Sequence, residues 1–365
     1  MICLAYPLLC HDGVRAVNFS QSYKSCTSPF RNVTSKKRLF IFNLEKIQPK
    51  MASASRLTKT KKLIIDCDAG IDDAQAIILA LSLDVEVLAI TCVAGNIGVD
   101  QVVKNVLKVL DTCGRTDIPV YKGADRPLLG QAFELPNYHG KDGLGDATDA
   151  KGPDMDLVKS THAVAAILNL VNENPGEVTI AALAPLTNLA LACRMDDDFS
   201  KKIKAIELMG GNKHGIGNHF ISAEFNFGAD PEAAFVVLDQ FECPINIISW
   251  EFCLENPIEW EFFNNYIGLP TPKSRFLKAI STKIADYEAG GPWLTCDPFA
   301  VAVALCPDIV LEDKMVHATI ELSGKVTKGM MVIDWRGKLE KKHNVRLIEK
   351  VNLDRFKALL LRSVS

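Results

Sequence analysis

From Lys61 onward, short β-branched runs alternate with segments of helical period, and this alternation restricts the fold more than any other feature of the chain. LIIDCD precedes DDAQAIILALSL, VEVLAITCVAG precedes DQVVKNVLKVLDTCG, and IPVYKG precedes a long polar loop. THAVAAILNLVNENPG, VTIAAL, LTNLALAC, IKAIELMGG, PEAAFVVLDQF and INIISW continue the series. A repeated strand-then-helix order predicts an α/β fold: a single domain with a doubly wound, mostly parallel, Rossmann-like sheet. Such sheets take their ligands beyond the carboxyl ends of the strands. After about Asn256 the pattern turns helical. HATIEL, MMVIDW and VRLIEK then read as late strands before a closing helix, LDRFKALLLRS.

The folded domain is expected over residues 61–365, preceded by an N-terminal extension over residues 1–60. In residues 1–50, eight Lys and Arg face only Asp12 and Glu45, and no helical period is sustained. A disordered or targeting segment fits that composition, mitochondrial targeting included. Met51 also opens MASASRLTKTKK like an ordinary start, which would leave residues 1–50 untranslated. A net charge of −3 gives no basic field for nucleic acid or anionic lipid, so a small-molecule partner is favoured. No apolar run approaches the roughly 18 residues that a membrane span needs. Eleven cysteines, odd in number and with no CxxC pair, suggest reduced thiols in the cytoplasm rather than a disulfide framework or a zinc site.

Directly behind the first strand, KLIIDCDAGIDDAQA crowds four aspartates: Asp66, Asp68, Asp72 and Asp73. Carboxylates this close repel unless a cation or shared protons compensate, so the cluster implies a positive guest. Oxygen-only ligands point to a hard ion, Ca²⁺ or Mg²⁺. Helix capping and dipole compensation account for Asp72 but not for Asp66 and Asp68 on the strand. DxD after a strand also opens phosphotransferases of the haloacid dehalogenase type. There a Thr or Val follows, whereas here Ala69 and Gly70 lead into a second acidic pair.

Further motifs occur in order: VAGN with Asn96, PNYHGKDGLG with His139, APLTNLALA, MGGN, GNHFISAEFNFGADPEAA and GGPWLTCDPFA. Together with DCDAGIDDA they resemble the inosine-uridine-preferring nucleoside hydrolase family, from about Lys61 to the C-terminus. The resemblance implies the nucleoside hydrolase fold and hydrolysis of the N-glycosidic bond of ribonucleosides to ribose and free base, in purine and pyrimidine salvage. It implies one Ca²⁺, with Asp68, Asp73 and Asp297 as carboxylate ligands and the carbonyl of Leu183 as another. Asp68 would also be the general base, with Asp66 supporting the site. Asp72, Asn96, Asn218, Glu224 and Asn226 would hold the ribose hydroxyls, and Met209 and Phe225 would pack against the sugar. A homodimer or homotetramer is the assembly it implies.

The chain departs from the family pattern at two places. Ala69 replaces the usual proline, which should loosen the turn without removing a ligand. Cys296 stands where many members carry the histidine that protonates the departing base, and a thiol is a weak donor. His139, Cys296 itself and Tyr287 are the candidates for that proton, with Cys296 expected to line the pocket. The four tryptophans read as packing residues, with Trp293 near enough to Asp297 to stack on a nucleobase. A nucleoside- or ribose-binding protein with little turnover is the alternative to an enzyme.

Overall fold

The computed structural model describes residues 60–130, 137–147, 152–284 and 291–365. All but the last residue of the expected extension, and Tyr287, lie outside the described residues. The main sheet is built from β1 (Lys61–Cys67), β2 (Val85–Cys92), β3 (Val120–Lys122), β4 (Val158–Lys159), β5 (Val178–Ala182), β6 (Ala205–Met209), β7 (Ile245–Ile248), β8 (Val310–Val316) and β11 (Val345–Val351). These nine strands run in the order β4-β3-β2-β1-β5-β6-β7-β11-β8. Every neighbouring pair is parallel except β11 with β8 at one edge. β9 (Ala318–Ile320) and β10 (Met331–Ile333) pair antiparallel in a separate two-stranded sheet. The expected doubly wound α/β architecture is therefore present, with HATIEL and MMVIDW set apart from the main sheet.

Winding direction locates the ligand crevice. The chain adds β2, β3 and β4 on one side of β1, then returns to add β5, β6 and β7 on the other. Helices leaving β1 and β5 thus diverge, and a crevice opens beyond the carboxyl ends of these two strands.

Both faces of the sheet are covered. α1 (Ile71–Leu81), α2 (Val99–Cys113), α9 (Pro272–Ile280), α10 (Asp297–Leu305) and α11 (Leu353–Val364) share one apolar layer, which receives Leu63, Ile65 and Cys67 from β1. α3 (Ala163–Glu173), α4 (Thr187–Met195) and α6 (Pro231–Gln240) share the other, which receives Ile64. Alternate side chains of β1 thus bury on opposite faces, as the pleat requires. The shorter helices α5 (Phe225–Ala229), α7 (Trp250–Glu255) and α8 (Trp260–Tyr266) follow β6 and β7, and α5 and α7 contribute residues to the crevice. Among the described residues, no helix is long and apolar enough to cross a membrane.

Two strands lie outside the pattern read from the sequence. β4 has only two residues, too few for any period to register. β8, VLEDKMV, has five consecutive exposed residues, because it closes the sheet edge with one side unpaired. Charged side chains on an edge strand discourage pairing with other chains, and they also erase its apolar signal.

Candidate active site

The β1–α1 connection carries the acidic cluster into the crevice. Asp66, the last-but-one residue of β1, sits opposite Thr91 of β2 and Ala182 of β5. Its Oδ1 accepts hydrogen bonds from Thr91 Oγ1 (2.6 Å) and from Asn188 Nδ2 (2.8 Å). Burial nevertheless pushes its carboxyl up to about 6. Asp68 follows the strand. Its Oδ2 accepts from the Asn96 backbone N–H at 2.7 Å and its Oδ1 from Asn96 Nδ2 at 2.8 Å. Burial outweighs the Asn96 bonds and raises the Asp68 carboxyl to about 7. The β2 loop can come this close only because residue 95 is glycine: a Cβ there would lie 2.0 Å from Asp68 Oδ2.

The turn itself differs from expectation. Ala69 has φ 45°, in the left-handed region that a proline ring cannot adopt. Alanine at this position is therefore part of a different turn, and not a loosened copy of the proline one. The turn is held rather than slack, since Asn105 Nδ2 of α2 donates to the Ala69 carbonyl (3.2 Å) and to the Asp142 carbonyl (2.7 Å). Asn105 is fully buried and ties the turn between Asp68 and Asp72 to the glycine-rich loop that carries His139. Nothing in its helical surroundings, VVKNVLKVL, marks it from sequence.

At the start of α1, Asp73 Oδ2 accepts from the Gly70 N–H at 2.7 Å. Asp73 Oδ1 and Asp66 Oδ2 are buried without a hydrogen-bond partner among the described residues. One oxygen each from Asp72, Asp73 and Asp297, the last at the start of α10, lie within 4.8 Å of one another. Asp68 is within hydrogen-bonding reach of Asp73. Burial, together with neighbouring carboxylates, pushes Asp73 and Asp297 well above the usual carboxylate range. Orphaned carboxylate oxygen, an all-oxygen donor set and mutual repulsion fit a hard divalent cation.

The remaining sequence candidates surround a cavity of about 590 Å³ above this cluster. Asp72, Asn96, His139, Leu183, Met209, Asn218, Glu224, Phe225, Asn226, Cys296 and Asp297 all border it. Asp66, Asp68 and Asp73 lie beneath, fully buried. Glu224 caps α5: its Oε1 accepts from Asn226 N–H (2.9 Å), and its Oε2 accepts from Gly211 N–H (2.8 Å) and Phe227 N–H (3.2 Å). Burial still raises it to about 7. Asn226 Nδ2 donates to the carbonyls of Leu183 and Met209, both at 3.1 Å. The Leu183 carbonyl is thus at the site, with one lone pair already engaged. Asn218 is exposed at the rim and its Oδ1 accepts from His219 N–H.

His139 is held in one tautomer. The Ile71 N–H can only donate, and it points at His139 Nδ1 (3.1 Å), so the ring proton belongs on Nε2. That nitrogen is 3.8 Å from Asp72 Oδ1. Burial lowers the His139 pKa below the usual imidazole value, which keeps the ring neutral.

Trp293 does not reach the cavity. It is fully buried, its ring 4.6 Å from Phe263 and 6.3 Å from Tyr266, and its backbone pairs with Ile258. The half-buried Trp250, at the start of α7, borders the cavity instead, with Tyr138, His219, Ile284 and Leu294. Trp335, also read as packing, is 45% exposed and lies under Lys314.

The site therefore combines a carboxylate floor with an apolar and aromatic upper part, dimensions and chemistry suited to a polar ring joined to a flat heterocycle. Sequence comparison agrees. The profile described as inosine-uridine preferring nucleoside hydrolase matches residues 63–358. An inosine-uridine preferring nucleoside hydrolase from Crithidia fasciculata is 31% identical over 82% of this chain and 96% of its own length. A pyrimidine-specific ribonucleoside hydrolase from Citrobacter koseri is 33% identical over 82% of this chain and 96% of its own. The solved structure of an inosine-guanosine nucleoside hydrolase superposes with a TM-score of 0.78 at 34% identity, covering 83% of this chain and 98% of that one. With this coverage and this site, the chain belongs to the inosine-uridine preferring nucleoside hydrolase family and is an enzyme of the N-ribohydrolase class.

Proposed function

We propose that the protein hydrolyses the N-glycosidic bond of ribonucleosides in a Ca²⁺-dependent reaction, releasing ribose and free base for salvage. The observation that carries this reading is the all-oxygen cluster of Asp72, Asp73 and Asp297 flooring a largely apolar cavity. Asp68, Asp73, Asp297 and the Leu183 carbonyl would hold the ion. When bound, Ca²⁺ would neutralise the carboxylates, orient vicinal hydroxyls and acidify a water.

The chain's own groups supply the rest. Asp68, held by two hydrogen bonds from Asn96, would take the proton from the attacking water. The water oxygen bonds to C1′ of the sugar as the C1′–N bond breaks and its electron pair leaves with the base. Positive charge developing on the sugar is favoured by the surrounding carboxylates. Asp72, Asn96, Asn218, Glu224 and Asn226 would hold the hydroxyls, with Met209 and Phe225 against the ring. His139, neutral and with its proton on Nε2, is a hydrogen-bond donor at the cavity wall. The same reading takes the protein as a cytoplasmic homodimer or homotetramer.

Release of reducing sugar from a panel of ribonucleosides by the pure protein tests the proposal. Ribose should appear, and not from the 2′-deoxy analogues. Saturable nucleoside binding without any ribose would instead make the protein a binder.

Cys296 is predicted to line the pocket without donating a proton. Its thiol is buried beside Cys253, and both that contact and burial push it well above its ordinary value, which makes it a poor acid. Cys296→Ser should therefore change turnover of a natural nucleoside and of p-nitrophenyl riboside by similar factors. A loss confined to the natural nucleoside would assign the proton to Cys296.

A further inference from the structure

Gln75 is a polar side chain at the cavity that the proposed reaction leaves without a role. Gln75 lies one turn after Asp72 on α1, where Ala74, Ala76, Ile77, Ile78 and Leu79 are all buried and apolar. It is only 1% exposed, yet it borders the cavity. A buried amide in such company is costly unless both its ends are used. One end is: Thr295 Oγ1 donates to Gln75 Oε1 at 3.0 Å. Thr295 is itself buried, and it immediately precedes Cys296 and Asp297. With Thr295 as the donor, the amide turns Oε1 toward Thr295 and Nε2 away from it. Its Nε2 carries two protons, makes no hydrogen bond to any described residue, and is not sealed within the protein interior.

We propose that Gln75 Nε2 is a hydrogen-bond donor to the departing nucleobase, and so a specificity-determining residue of this site. The proposal rests on the hydrolase reading above. Gln75 borders the cavity together with Cys296, where the sequence lacks an imidazole, and is braced from behind by the buried Thr295. When the C1′–N bond breaks, its electron pair moves into the base and builds charge on ring nitrogens and on carbonyl oxygens. A fixed N–H donor bonds such an acceptor more strongly as that charge grows, so it stabilises the transition state more than the bound substrate. No proton is transferred in this step; the amide remains neutral throughout. The substrate class is a ribonucleoside whose base presents a carbonyl or ring-nitrogen acceptor to this wall.

The experiment compares uridine and inosine with p-nitrophenyl riboside, whose leaving group is stable as the anion without such help. Gln75→Met keeps the length of the side chain and removes the donor. The ratio of kcat/KM on the natural nucleosides to that on p-nitrophenyl riboside should fall by about tenfold or more. Thr295→Val frees the amide without removing it and should lower the same ratio by a smaller factor, which keeps the test valid if Gln75→Met folds poorly. A ratio unchanged in both variants, with the two substrates losing rate equally or not at all, would make Gln75 a packing residue and overturn the proposal. Wild-type protein that releases ribose from neither substrate would instead refute the hydrolase reading, and this assignment with it.

Discussion

Asp68→Asn should lower ribonucleoside turnover by at least about a hundredfold, the lower end of what a general base contributes, in a protein that still folds. Two effects combine. The amide cannot accept the proton of the attacking water, and it removes one of the negative charges facing the developing positive sugar. There is also a local cost. Asn96 gives both its backbone N–H and its side-chain Nδ2–H to Asp68, one to each oxygen. An asparagine at position 68 has only one acceptor oxygen, so its own NH₂ must face one of these donors. That conflict should disturb Asn96, which borders the cavity. The expected result is therefore a large fall in kcat together with a rise in KM. Steady-state kinetics, with circular dichroism to verify folding, check it. Wild-type kcat in the variant would move the base to another residue.

The acidic cluster is legible in sequence because its members are neighbours on one strand and the helix that follows. Asp66 and Asp68 must lie at a strand end whatever the tertiary detail. Asp297 is different. It is brought to Asp72 and Asp73 by α10 crossing the same face of the sheet, and only the resemblance of TCDPFA to a family motif linked it to them. Trp293 and Trp250 show the limit of reasoning from proximity in sequence. Trp293 is four residues from Asp297 but turns into the packing around Phe263, whereas Trp250 reaches the cavity from the far end of β7.

Polar residues inside helices were the least legible. Gln75 and Asn105 are good or neutral helix residues in segments whose period is set by their apolar neighbours, so neither interrupts the pattern. Their partners, Thr295 in one case and the Ala69 and Asp142 carbonyls in the other, are remote or backbone atoms. Glu251 belongs with them: its carboxylate accepts from the N–H groups of Lys213, His214 and Ile216, which secures the loop leading to Asn218. None of these bonds has a signature in residue spacing.

In protein freed of divalent cations, the melting temperature should fall as pH rises from about 4 to about 7, and added Ca²⁺ should restore most at the upper end. The sign follows from the direction in which burial moves these carboxyls. Asp66 and Asp68 rise to about 6 and about 7, and Asp73 and Asp297 are also raised, all chiefly by burial. Through this window these four carboxyls bind more protons in the folded, metal-free protein than in the unfolded chain, so their contribution to stability is complete below the ordinary carboxylate range and is lost as pH climbs through the raised values. A tenfold change in proton affinity at one carboxyl corresponds to about 1.4 kcal/mol, which makes the effect of the whole cluster a large fraction of a typical folding free energy. A cation that binds only the folded state opposes this loss, and it binds best where the carboxylates are ionised. Glu207 provides an internal contrast. It is raised by burial to about 7 beside Asn246 and is not among the residues bordering the cavity, so its share of the slope should persist when Ca²⁺ is present. Thermal melts at several pH values, with chelator and with Ca²⁺, measure both parts. A metal-free protein whose stability is flat or rises across the window, or a Ca²⁺ gain no larger at pH 7 than at pH 5, would remove the acidic cluster as the cation's site.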